Sequence, residues 1–254
     1  MEHTARMRVA SVGFTPVKGT RHASFDKVLL DEHGPPGDRS FCLVDPASQR
    51  VLRTVQTPSL VAVRTRLDGA RLHVVLPSGE SAATEPTASG ERMTCDYWGR
   101  PVDLALLDGP HADLFSSYLG VPVRLAAAPR GGVVYGAPLT LVTTASLREL
   151  ATRTGRSQIA DEPARFRATV VVDVEAPSHV EDSWSGRELQ LGDARVRVGE
   201  GIPRCAVVDL DPVTGARNAP VLRTLTGYRP RAATGEPCFG VYAEVTRPGR
   251  VSRG

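Results

Sequence analysis

The stretch Ile202-Pro203-Arg204-Cys205-Ala206-Val207-Val208-Asp209-Leu210-Asp211-Pro212-Val213-Thr214-Gly215 sets an arginine–cysteine pair at the head of an apolar run and closes it with an Asp-Pro-x-Thr-Gly turn. A short valine-rich run between such punctuation predicts a strand over residues 205–210. A guanidinium beside a thiol favours the thiolate, the form that binds metals and attacks sulfur or carbon. Free cysteine is also among the most buried residue types, so this stretch alone admits a core cysteine or a reactive one.

Outward from it, the chain continues in short strands. Residues 8–12, 27–30, 41–44, 60–67 and 72–76 are rich in Val and Leu, and Gly34-Pro35-Pro36-Gly37, Asp45-Pro46, Asp68-Gly69 and Pro77-Ser78-Gly79 separate them. Asp68-Gly69 between two such runs predicts a hairpin. Residues 80–94 are small and polar and predict an exposed loop, after which a strand runs from 96 to 107. Further strands are expected over 138–142, 167–174, 188–198 and 239–245. Three helices are expected: one capped by Asp108 and ending at Gly120, one capped by Thr143 or Thr144 and ending before Gly155, and a short one from Pro220. Many strands without βαβ alternation predict a mixed α/β, β-rich, barrel-like fold rather than a doubly wound sheet.

The 254 residues suit two small domains or one large β-rich one. Hydrophobic residues make up 41% and charged residues 23%, enough for a packed core. The net charge of +3 is too mild for a nucleic-acid footprint, yet suits a small anionic ligand held by a few arginines. Cys42, Cys95, Cys205 and Cys238 are far apart and form no C-x-x-C pair, which argues against a zinc ribbon or a disulfide framework. The N-terminal Met-Glu-His-Thr-Ala-Arg has no apolar signal core, and no stretch is long and apolar enough to span a bilayer. The expectation is a cytoplasmic protein with no membrane and no nucleic-acid partner.

The common nucleotide, metalloprotease and hydrolase motifs are absent, and Gly131-Gly132-x-x-x-Gly136 has the wrong spacing for a dinucleotide loop. Six histidines, none paired at i and i+4, offer no histidine metal site. Charged residues beside turns recur instead: Lys18, Arg39, Arg167, and Glu181-Asp182 before Trp184. Each alone has a structural account. Lys18 and Arg39 would be solvated, Arg167 would pair with an acid such as Asp182, and Trp184 would be core.

Together these pieces resemble the MOSC family, named for the C-terminal domain of molybdenum cofactor sulfurase. The resemblance runs through Pro16-Val17-Lys18, Gly37-Asp38-Arg39-x-Phe41, Gln56-x-Pro58-x-Leu60 and Trp98-Gly99, and then Ala145-Ser146-Leu147. It continues through Arg165-Phe166-Arg167, Glu181-Asp182-x-Trp184, Leu191-Gly192-Asp193, Arg204-Cys205, Asp211-Pro212-x-Thr214-Gly215 and Phe239-Gly240. It implies a MOSC N-terminal β-barrel domain over 6–100 packed on a MOSC β-barrel domain over 101–250.

By this resemblance to the amidoxime-reducing type, the chain would bind the molybdenum cofactor, a molybdopterin, with Cys205 as metal ligand. Cys205 and Arg204 would be the catalytic pair. Lys18, Arg39, Thr143, Arg167, Arg204 and Tyr242 would bind the cofactor, and binding of pyridoxal phosphate is not expected. The implied reaction is two-electron reduction of an N-hydroxylated small-molecule substrate. No cysteine-rich iron–sulfur segment follows, so electrons would come from a separate iron–sulfur or flavin protein. Gly19, Val55, Ala168 and Thr169 stand where relatives often carry serine, arginine, proline and asparagine, and each alters the polar groups around the site. Two alternatives use the same cysteine: a sulfur transferase carrying a persulfide on Cys205, and a non-catalytic cofactor carrier.

Overall fold

Alternation of Val and Leu with exposed residues builds seventeen short strands and three α-helices in the computed structural model, which describes residues 7–254. The expected domain start at residue 6 and the N-terminal segment read for a signal lie outside the described residues. In chain order the strands begin with β1 (Met7–Phe14), β2 (Ala23–Phe25), β3 (Lys27–Leu30), β4 (Phe41–Asp45) and β5 (Arg50–Val51). Next come β6 (Arg64–Asp68), β7 (Arg71–Val75), β8 (Ser81–Thr84), β9 (Thr87–Tyr97), β10 (Arg100–Asp108), α1 (Pro110–Leu119) and β11 (Arg124–Ala127). The second half holds β12 (Leu139–Thr143), α2 (Thr144–Thr154), β13 (Val170–Val174), β14 (Glu188–Leu191), β15 (Ala194–Pro203), α3 (Val221–Tyr228), β16 (Cys238–Arg247) and β17 (Gly249–Ser252). The mixed, β-rich class is the one the sequence predicts.

Five strands close a barrel in the order β10-β11-β4-β5-β9, and β6-β7-β8 form a small sheet beside it. The expected boundary at 100/101 falls between the first two residues of β10, a strand that with β11 completes that barrel. Seven strands form the second sheet in the order β14-β15-β16-β12-β13-β1-β2. The two halves exchange strands: β1 pairs with β13, and β17 returns to pair with β3.

Val170-Val171-Val172 is a continuous apolar run because its strand is covered on both faces. Val170 and Val172 face one core with Val9, Leu141 and Val196, while Val171 faces a second with Leu147 and Leu150 of α2 and Leu225 of α3. Trp184 is core, as its structural reading expects.

Four expectations are corrected. Residues 80–94 are mostly strand: β9 pairs with β10 over its length, and the apolar side chains of β10 supply the buried face that β9 lacks. Residues 205–210 are not a strand. Ala206–Asp209 is a 3-10 turn, drawn inward by the Arg165 guanidinium, which donates to the carbonyls of Leu210 at 2.6 Å and Val208 at 3.3 Å. The run 60–67 opens with a 3-10 turn, Pro58–Ala62, and becomes strand only at Arg64. The cap of α1 is Gly109, because Asp108 still belongs to β10. The Thr143 hydroxyl does cap α2, accepting from Ser146 N at 3.2 Å.

Candidate active site

At the end of β15 the two residues of the Arg-Cys pair part company. Arg204 turns inward and is buried, while Cys205 is exposed, unlike the buried Cys42, Cys95 and Cys238. The Arg204 guanidinium donates through Nε to Phe239 O at 2.8 Å and through Nη1 to Phe166 O at 2.9 Å. Its Nη2 is buried without a partner. Burial lowers this arginine to about 10. A buried cation that keeps an unused donor calls for an acceptor the protein does not supply.

Arg204 and Cys205 both line a cavity of about 230 Å³ between the two halves. From the first half come Lys18, Arg39, Arg53 and Trp98; from the second come Arg167 and Tyr242. Lys18 follows the Val17–Phe41 bridge, and its ammonium sits 4.8 Å from the centre of the Tyr97 ring. Loss of hydration, then Arg39 and Arg167, push the Lys18 ammonium down to about 7. Arg39 is joined to the carboxylate of Asp38. Arg167 donates to Thr20 O at 2.9 Å and is lowered to about 10 by burial and by Arg39. Glu236 is the single carboxylate in the cavity wall. Six basic side chains, Lys18, Arg39, Arg53, Arg165, Arg167 and Arg204, thus line a hollow with one carboxylate in its wall, and a bound anion would relieve their repulsion.

Backbone strain marks the same place. Among the described residues five non-glycine residues have positive φ, and Arg39 (46°), Trp98 (57°) and Arg167 (52°) line this cavity. Left-handed backbone costs an ordinary side chain about 1–2 kcal/mol and persists where surrounding structure enforces it. Tyr242 is seated by Gly136, where an added Cβ would fall 2.4 Å from its Cζ, and burial raises its phenol. Behind the cavity, His22 donates to Ala168 O at 3.0 Å, and burial followed by Arg167 lowers its imidazole to about 3.

Six of the seven site residues expected from sequence therefore converge on one cavity: Lys18, Arg39, Arg167, Arg204, Cys205 and Tyr242. Thr143 does not line it. Its buried hydroxyl donates to Glu181 at 2.9 Å and caps α2, so it acts in the scaffold, and Thr140 of the same strand reaches the cavity instead. Asp182 pairs with Arg229 at 2.6 Å rather than with Arg167, whose side chain points into the other half. Sequence reasoning missed Arg53, Tyr135 and Glu236. The glycine-rich run 131–136 was the available signal for Tyr135, since it builds the loop carrying that ring.

Among the described residues no group of three or more His, Cys, Asp or Glu side chains could hold a metal. A metal at Cys205 would need most of its donors from a ligand. The residues present fit such a group: one exposed thiol for the metal, and six basic side chains against one carboxylate for an anionic end.

A barrel joined to a seven-stranded sheet, with one accessible thiol in a basic hollow between them, defines a β-rich protein in two halves whose shared cavity suits a small anionic ligand. Two family models match end to end: the MOSC N-terminal beta barrel domain over residues 6–122 and the MOSC domain over 124–254. The chain belongs to the MOSC family. It is 31% identical over 136 residues to mitochondrial amidoxime-reducing component 1 of Homo sapiens, a match covering 50% of this chain and 38% of that protein. It is 33% identical over 125 residues to mitochondrial amidoxime reducing component 2 of Homo sapiens, covering 46% and 35%. It is 28% identical over 120 residues to the molybdenum cofactor sulfurase of Caenorhabditis briggsae, covering 47% and 16%. The matched stretch thus spans little more than a third of the reducing components and about a sixth of the sulfurase. No helix among the described residues is long and apolar enough to cross a membrane.

Proposed function

We propose that this chain is a molybdenum-cofactor-dependent reductase of N-hydroxylated small molecules, with Cys205 as the protein's metal ligand. The observation that carries the reading is an exposed Cys205 thiol in a cavity lined by six basic side chains and a single carboxylate. The names of the relatives support the same chemistry.

The cofactor, when bound, supplies the two-electron redox chemistry. The chain's own residues do the rest. Cys205 offers its sulfur from the head of the 3-10 turn, held there by Arg165. Arg204 and Arg167 of the second half and Lys18 and Arg39 of the first would hold the anionic end of the group. Fixed side chains on two rigid sheets orient that end without rearrangement. Tyr242 and Glu236 line the same cavity and would offer hydrogen bonds to a substrate there. Electrons arrive from a separate iron–sulfur or flavin protein.

The test is the metal and pterin content of protein expressed where the cofactor is made. Near-stoichiometric molybdenum with pterin, lost in Cys205→Ser, is expected, together with reduction of benzamidoxime by an artificial electron donor. Full metal content in Cys205→Ser overturns the site. A metal-free wild-type protein that accepts sulfur on Cys205 from a cysteine desulfurase favours the transferase, and a loaded protein without turnover favours the carrier.

A further inference from the structure

Six large hydrophobic side chains are exposed among the described residues, and three of them, Val55, Trp98 and Tyr135, line the cavity that holds Cys205. Their exposures are 37%, 45% and 51%. The other three, Leu29, Val121 and Val213, line no part of it. Isolated exposed apolar residues need no explanation, but convergence of half of them on one polar hollow does.

The two aromatics are fixed there. Trp98 and Gly99 form the two-residue turn between β9 and β10, with φ of 57° and 78°. Both positions of such a turn require positive φ, which Asn, Asp and Gly accept readily and a tryptophan does not. The Arg53 guanidinium stacks 4.5 Å from the Trp98 ring, and its Nε is held by Gln56 at 3.0 Å. Tyr135 sits on a loop stapled by Arg100, which donates to Val134 O at 2.6 Å and Gly132 O at 3.1 Å. The Trp98 and Tyr135 rings lie 5.6 Å apart at an interplanar angle of 58°. This is an open corner of two aromatic faces, and a third flat ring completes such a corner.

We infer that Trp98, Tyr135 and Val55 form a specificity subsite for a planar aromatic group on the substrate, so that aryl N-hydroxy compounds are preferred over alkyl ones. This deepens the reading of Cys205 as the reacting end and rests on it for turnover, though not for binding. Offset or edge-to-face aromatic contact contributes on the order of a few-fold to ten-fold in affinity. Arg53 backs the corner, and Val55 leaves it without the polar group that an arginine there would bring.

The chain has two tryptophans, and the other, Trp184, is buried in the core away from the cavity, so a ligand-dependent change in fluorescence reports on Trp98 against the constant emission of Trp184. Purified protein is titrated with benzamidoxime and with acetamidoxime. Expected are a saturable quench by benzamidoxime alone, its loss in Trp98→Phe, and about a five-fold weaker apparent Kd in Tyr135→Ala. In cofactor-loaded protein the ratio of kcat/KM for benzamidoxime over acetamidoxime should fall about five-fold in Tyr135→Ala, and Tyr135→Phe should restore it. A flat benzamidoxime titration overturns the subsite, and so does an equal loss on both amidoximes in Tyr135→Ala. Saturable quenching in a protein that turns over neither amidoxime supports the subsite and overturns the reductase reading, so the two fail separately.

Discussion

Lys18 shows how a single residue's chemistry is set by its neighbours. Its ammonium is pushed down to about 7 by loss of hydration and by Arg39 and Arg167. Its folded value lies below the unfolded one, so between about pH 7 and 10 the unfolded chain binds the extra proton. Stability without a ligand should therefore rise as pH rises through that window, and Lys18→Met should flatten the rise. Thermal unfolding of the two proteins at pH 6, 7, 8 and 9 (values chosen about the Lys18 midpoint) checks this. Anion affinity should run the other way and weaken as Lys18 loses its proton. Cys205 and Arg204 were legible as a pair from their order in the chain. Their division of labour was not, because only the end of the strand decides which side chain turns in.

At the scale of the element, the decisive device is the clamp on the turn that follows Cys205. The Arg165 side chain is wholly buried, paired with Glu162, and bonded to Val208 O, Leu210 O and Asn218. Removing it leaves two buried carbonyls with one donor fewer and a carboxylate without its partner. Arg165→Met should cost about 3 kcal/mol in urea unfolding. It should also raise the rate at which iodoacetamide alkylates Cys205, while the three buried cysteines stay protected. The 205–210 stretch illustrates why sequence reasoning misplaced this element. Ala-Val-Val carries a strand's composition, and the guanidinium that bends it lies some forty residues earlier. Residues 80–94 erred in the opposite direction, since small polar residues join a sheet when a partner such as β10 supplies the apolar face.

At the scale of the molecule, the cavity exists only because the two halves are locked together. The Asp211–Gly215 turn docks on the first half: Arg21 donates to Val213 O at 2.6 Å and to Ala62 O at 3.1 Å. Gly215 has φ of 74°, and an added Cβ would lie 2.2 Å from Pro58 O. Gly215→Val should therefore separate this turn from the Pro58–Ala62 segment and cost at least about 2 kcal/mol. Equilibrium unfolding measures the cost, and molybdenum content should fall with it because Lys18 and Cys205 belong to different halves. The strand exchange makes the same point, since β1 and β2 complete the seven-stranded sheet and β3 pairs with β17.

The amino-acid sequence by itself determined the β-rich class, most strand positions, the cap of α2, the turns, and the identity of six cavity residues. These follow from periodicity, turn chemistry and short ordered motifs, which are local properties of a chain. Tertiary structure alone decided that Thr143 bonds Glu181 and stays out of the cavity, that Asp182 belongs to Arg229, and that Trp98 and Tyr135 meet at the cavity mouth. Each of these joins residues distant in sequence. Such contacts depend on which faces the closed barrel and the seven-stranded sheet turn toward each other, and no local pattern encodes that orientation.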